Sequence, residues 1–163
     1  MTKTILIATD FSLESLDILK KVLKNKTDKN DENQYNILLV SGYDMGDSIR
    51  DLLFTTKSSV FGKIRPQEFC DAYSIINNKY PSLINKITCD IFTGSFQRTF
   101  NSFIEAANVD EAYYSTSKSR HLSKNQFDIT SYLKKCKHVD AVEITTETTE
   151  LVPEKGRLAE VFL

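Results

Sequence analysis

The chain has 163 residues, 40% of them hydrophobic and 26% charged, with a formal net charge of −1. That length suits one domain around one core, and the near-neutral balance with scattered lysines and arginines excludes a general affinity for nucleic acid or an anionic membrane surface. No apolar run approaches the roughly 20 residues that cross a bilayer, and the opening "MTKTILIATD" has no stretch long enough for a signal peptide, so the sequence reads as cytoplasmic.

"TILIATD" (4–10) is a β-branched apolar run closed by an acid, the pattern of a strand buried on both faces. In "FSLESLDILKKVLKN", Ser12 is the expected N-cap and Leu16, Leu19, Val22 and Leu23 fall at helical spacing. The polar connection "KNKTDKNDENQ" leads to a second strand, "YNILLVSGYD" (35–44). An irregular region (45–66) follows, with a short helix expected around Ile49–Phe54. Pro66 opens a longer helix whose apolar stripe is Phe69, Ala72, Tyr73 and Ile76, and Pro81 closes it.

"NKITCDIFTG" (85–94) predicts a third strand. "SFQRTFNSFIEAANV" (95–109) predicts a helix capped by Ser95, with Phe96, Phe100, Phe103, Ile104 and Ala107 on its core face. "DEAYYSTS" (110–117) gives a fourth strand. Phe127, Ile129, Tyr132, Leu133 and Cys136 place a helix over about 126–137, and "HVDAVEIT" (138–145) a fifth strand. Strands alternating with helices imply an α/β fold: a doubly wound, open, five-stranded parallel sheet with helices on both faces. Its ligand crevice is expected outside the carboxyl ends of the strands, at Asp10–Ser12, Ser41–Asp44, Phe92–Ser95 and Ser115–Arg120. The domain is read as residues 1–145, with 146–163 as a tail.

"ILIATDFSLESLDILKKVL", with its Thr9-Asp10-Phe11-Ser12 turn, resembles the opening strand and helix of the universal stress protein family. "ILLVSGYD" and "IFTGSFQRTFNSFIEAANVDEAYYSTS" resemble its later elements, so the likeness spans roughly residues 3–144. ATP-binding members carry Gly-x2-Gly-x9-Gly-Ser/Thr after the fourth strand. Laid on this chain, those glycines fall on Ser115, Lys118 and Asp128, so the chain resembles the subclass that lacks the ATP motif. Side chains would fill the cradle where glycine lets the backbone approach phosphates.

The candidate binding residues, read as a degenerate nucleotide or anion site, are therefore Asp10, Ser115, Lys118 and Arg120. Asp10 is a nucleotide-proximal acid by resemblance, or a residue that ends the strand and orders the turn after it. The hydroxyls of "STSKSR" with Lys118 and Arg120 can hold a small anion such as phosphate or sulfate; a solvated loop is the alternative. No Ser/His/Asp or Cys/His set can be assembled, so no catalytic residues are assigned and the chain is read as no enzyme. Cys70, Cys89 and Cys136 form no CxxC motif and, with only two histidines, no metal site is expected.

The sequence reading is thus a non-enzymatic stress-response or signalling module with no cofactor, ATP being disfavoured. The competing reading is a nucleotide-binding protein or slow ATPase with a remodelled phosphate loop. By resemblance the last strand pairs with its twin, so a homodimer through residues 139–163 is expected, with a second protein as a further partner. The apolar Leu158, Val161, Phe162 and Leu163 should dock rather than stay solvated.

Overall fold

In the computed structural model of the chain, residues 2–46, 49–115 and 122–144 are described, the side chains of 51 and 52 excepted. The elements are β1 (Thr2–Ala8), α1 (Leu16–Asp28), β2 (Gln34–Tyr43), α2 (Ile49–Phe54), α3 (Lys57–Ile64), α4 (Gln67–Lys79), β3 (Ile84–Phe92), α5 (Gln97–Ala106), β4 (Glu111–Tyr114), β5 (Gln126–Phe127), α6 (Thr130–Lys135) and β6 (Ala141–Glu143). The main sheet runs β3-β2-β1-β4-β6, with every neighbouring pair parallel. The chain steps outward from β1 to β2 and β3, then returns to the other side of β1 for β4. The switch point therefore lies between β1 and β4.

Side chains alternate across a strand, and here both faces are covered. Ile5, Ile7, Ile37 and Leu39 join the buried residues of α1, α3 and α4 in one core. Leu6, Ala8, Val40 and Ala112 join those of α5 and α6 in the other. That double burial explains why the parallel strands read as continuous apolar runs.

Several boundaries differ from the sequence reading. The first helix begins at Leu16, later than expected, and Ser15 before it makes no side-chain capping bond; Ser12 caps the turn that leads in, where its hydroxyl (3.3 Å) and carbonyl (3.2 Å) both accept from Ser15 N. Helix α5 is entered at Phe96, not Ser95, and Phe96 is 72% exposed, so it leaves the expected core stripe while Phe100 and Ile104 stay in it. The irregular stretch holds α2 as expected and also α3, which starts on a capping box between Thr56 and Ser59. The helix expected over 126–137 shrinks to Thr130–Lys135, because 126–127 pair antiparallel with β2 as β5, a strand the sequence reading lacked. The fifth parallel strand shortens to Ala141–Glu143.

Cys70, Cys89 and Cys136 carry free thiols. Burial pushes the Cys89 thiol up, against the pull of a hydrogen bond from Arg65, and a thiol held protonated is a poor nucleophile. Among the described residues no helix is long and apolar enough to cross a membrane.

At the amino end of the sheet a polar network ties α1 to β2 and β4. Lys26 pairs with Glu111 (3.0 Å) and lies over the Tyr35 ring, while the buried Tyr35 donates its phenol to Asp31. Asp31 also accepts from Asn33 N (2.9 Å) and Asn33 Nδ2 (2.7 Å). These bonds, the Tyr35 phenol foremost, hold the Asp31 carboxyl below its ordinary value of 3.8. A depressed carboxylate contributes stability that is fully present above the unfolded pKa and drains as pH falls through the folded one. Asp31→Asn should therefore be less stable than the parent near about pH 7, and the gap should close towards about pH 2. Urea unfolding across that range checks it; a gap constant with pH would remove Asp31 from the network.

Candidate functional site

The site is built from the carboxyl ends of β1 and β2. As β1 ends, Thr9 N donates to Val40 O (2.9 Å) and Phe11 N to Thr9 Oγ1 (3.0 Å). Phe11 has φ 61°, a left-handed conformation that a bulky residue seldom adopts and that costs on the order of 1–3 kcal/mol. The compensation is its ring, fully buried and edge-on to Phe61 (5.8 Å) and Phe69 (5.3 Å), contacts worth about 0.5–1.5 kcal/mol each beyond their burial. The twist turns Asp10 back on the chain, so that its carboxylate accepts from both the backbone N–H (2.9 Å) and the hydroxyl of Ser12.

Facing this turn, Gln126 lies buried over the ends of both strands. Its Nε2 donates to Asp10 O (3.0 Å) and to Ser41 Oγ (2.9 Å), and its Oε1 accepts from Ser123 N (2.9 Å). Every polar atom of the amide is used. Asn125, at φ 70°, makes the turn that delivers it, and Asn125 O accepts from Asp44 N (2.7 Å). The next residue, Phe127, pairs with Gly42 in register and lays its ring where a Cβ on Gly42 would stand. Gly42 is thus required by the close approach of a ring rather than by a turn. Phe127 in turn meets Phe92 (6.3 Å) and Tyr132 (6.4 Å) edge-on.

Of the four residues singled out from the sequence, Asp10 and Ser115 stand at the ends of β1 and β4, the strands flanking the switch point, and Ser115 is buried. Lys118 and Arg120 lie outside the described residues, as do His121 and the whole of 145–163. Asp128, which falls on the third motif glycine, accepts from Thr130 N (3.0 Å) and Thr130 Oγ1 (2.7 Å) and so orders the start of α6. The sequence reading missed Gln126 and Phe127; the available signal was Gly42 inside an apolar strand, which marks a close approach. His138, the only histidine among the described residues, pairs with Glu105 of α5 (3.0 Å), not with the crevice.

No family model matches the chain, and no curated protein does. Solved structures do. A universal stress protein family protein from Arabidopsis thaliana, with AMP bound, matches at TM-score 0.53 and 12% identity over 93% of this chain and 97% of its own. A universal stress protein from Lactobacillus plantarum matches at 0.53 and 14% identity, over 89% and 97%. A protein of the same family from Burkholderia pseudomallei matches at 0.51 and 12%, over 87% and 95%. The chain has the universal stress protein fold, an α/β sheet with flanking helices.

The Gly42–Phe127 contact yields a direct prediction. Gly42→Ala overpacks the contact and should cost about 1–3 kcal/mol. In a Phe127→Ala background the same change should cost much less, so urea unfolding of the four proteins should give a clear coupling between the sites. Simple additivity would mean that the ring does not rest on Gly42.

Proposed function

We propose that this chain is a non-enzymatic module of the universal stress protein type that does not bind ATP tightly and acts in a stress response or in signalling. The observation that carries the proposal is Gln126. Its amide spans the carboxyl ends of β1 and β2 and takes up Asp10 O and Ser41 Oγ on the side of the sheet where open α/β folds take ligands, next to the switch point. Phe127 fills the space above Gly42. A buried serine, Ser115, stands where a phosphate cradle of this kind has its first glycine. A nucleotide entering there would have to break a satisfied buried network, a cost of about 1–3 kcal/mol for each polar group left without a partner.

The module is proposed to be cytoplasmic and to work as a C2 homodimer. Support comes from β6, the outermost strand among the described residues, with Val142 half exposed; an unpaired strand edge is a template for pairing with another chain. Residues 139–163 are proposed to supply the contact.

The competing reading is a nucleotide-binding protein or slow ATPase, and it draws on the Arabidopsis protein solved with AMP. Calorimetry with ATP, ADP and AMP in the presence of magnesium separates the two, on a sample whose mass has been taken by light scattering. We expect no saturable heat and the mass of two chains. A dissociation constant below about 10 μM, near −7 kcal/mol, for any of the three nucleotides would overturn the non-binding reading. A monomer at tens of micromolar would overturn the dimer.

A further inference from the structure

A cavity of about 560 Å³ lies at the carboxyl end of β3, two strands from β1 and so away from the switch point. Small-molecule sites commonly enclose about 300–1,000 Å³. Three parts of the chain line it: Met45 after β2, the entry to α3 with Lys57, and the run from the end of β3 into the first two turns of α5. Its apolar wall is packed from behind. Phe92 meets Phe103 at 5.7 Å and is backed edge-on by Phe100 (5.0 Å) and Tyr132 (5.5 Å). Gly94 leaves no slack beside it, since a Cβ there would stand 2.7 Å from Thr99 Cγ2 and 2.8 Å from Phe92 Cζ. Closing the space would mean pulling these rings out of their cluster, so the wall needs no ligand to form it.

The polar part of the lining is sparse and of one sign. Among the described residues that line the cavity, Lys57 carries the only charge, and Thr93 and Thr99 add hydroxyls. Lys57 pairs with Asp90 at 2.8 Å and its side chain is 67% exposed. An ammonium has three donors, so one such pair leaves it able to hold a further acceptor. The first turn of α5 has no acidic side chain to oppose an anion there. We infer that this cavity binds a small aromatic carboxylate, with its ring against Phe92, Phe103 and Met45 and its carboxylate on Lys57. Aromatic edges and a thioether both favour contact with a ring. The charge-assisted bond to Lys57 selects a carboxylate over a neutral amide, and a cationic head would meet a lysine of like sign. The site gives a signalling module a small-molecule input of its own, and it stands whether or not nucleotide binds at the switch point.

The test titrates the isotope-labelled full chain with naphthoate and, separately, with its neutral isostere naphthamide, and follows the amide spectrum. The backbone amides of Thr93, Gly94, Thr99 and Phe103 should shift saturably with naphthoate, and naphthamide should bind several-fold more weakly. Lys57→Gln, a change at an exposed side chain, should weaken naphthoate several-fold and leave naphthamide as it was. The absence of any saturable shift at millimolar naphthoate would overturn the inference. So would shifts centred on Asp10, Ser12 and Ser41, which would put the ligand beside the switch point. Equal affinity for the two probes, or a Lys57→Gln variant that binds naphthoate like the parent, would equally overturn it.

Discussion

One buried amide holds the carboxyl end of this sheet together. The side chain of Gln126 joins the turn after β1 to the end of β2 and takes the backbone N–H of Ser123 in return. A buried amide left partly unsatisfied would be costly; fully satisfied, it fixes the path of the chain on both sides. Upstream, it sets the Asn125 turn and the bond from Asp44. Downstream, it fixes the register that presses Phe127 onto Gly42, and from there the ring cluster of Phe92, Phe100 and Tyr132 under α5 and α6. The apolar packing on this face of the sheet is thus tied to a polar contact at its end.

The same arrangement bears on function. In a parallel sheet every strand end, with its loop, gathers on one side, which makes that side the natural place for ligands. On that side the side chains of Gln126 and Phe127 lie over the ends of β1 and β2. Beside the switch point, Gln126 bridges the ends of β1 and β2, and the Asp10 carboxylate is turned onto Ser12 by the strained Phe11. Left-handed backbone in a bulky residue persists only where packing over-determines it, and the aromatic contacts of Phe11 do that. The turn is held rigidly in a conformation that satisfies itself.

How much of this was legible in the sequence follows from what kind of signal each part leaves. β1 and β2 carry long buried apolar runs and α1, α4 and α5 apolar residues at helical spacing, and composition with spacing finds them; β3 and β4 bury fewer residues and follow from their place in the alternation. The candidate residues Asp10 and Ser115 were placed at strand ends by order alone, and they stand there. β5 is two residues long and has no period to read; Phe127 continues a helical spacing with Ile129 and Tyr132, although its ring is spent on Gly42. Ser12 does accept from Ser15 N, but through a turn that precedes the regular helix, and α5 is entered one residue after Ser95, at Phe96. α3 was hidden because its capping box uses serine at the third position rather than a longer acid or amide. Gln126 itself could not be inferred, because a glutamine that satisfies a distant carbonyl looks in sequence like any surface glutamine.

Gln126 locks the carboxyl ends of β1 and β2 beside the switch point, and its side-chain amide protons report on that lock directly. Their exchange with solvent and their chemical shifts can be followed by NMR as AMP is raised to millimolar concentration. A locked amide exchanges slowly, well below the rate of an exposed glutamine, and its resonances should stay in place throughout the titration. Exchange as fast as that of an exposed glutamine, or a saturable shift with AMP, would contradict it.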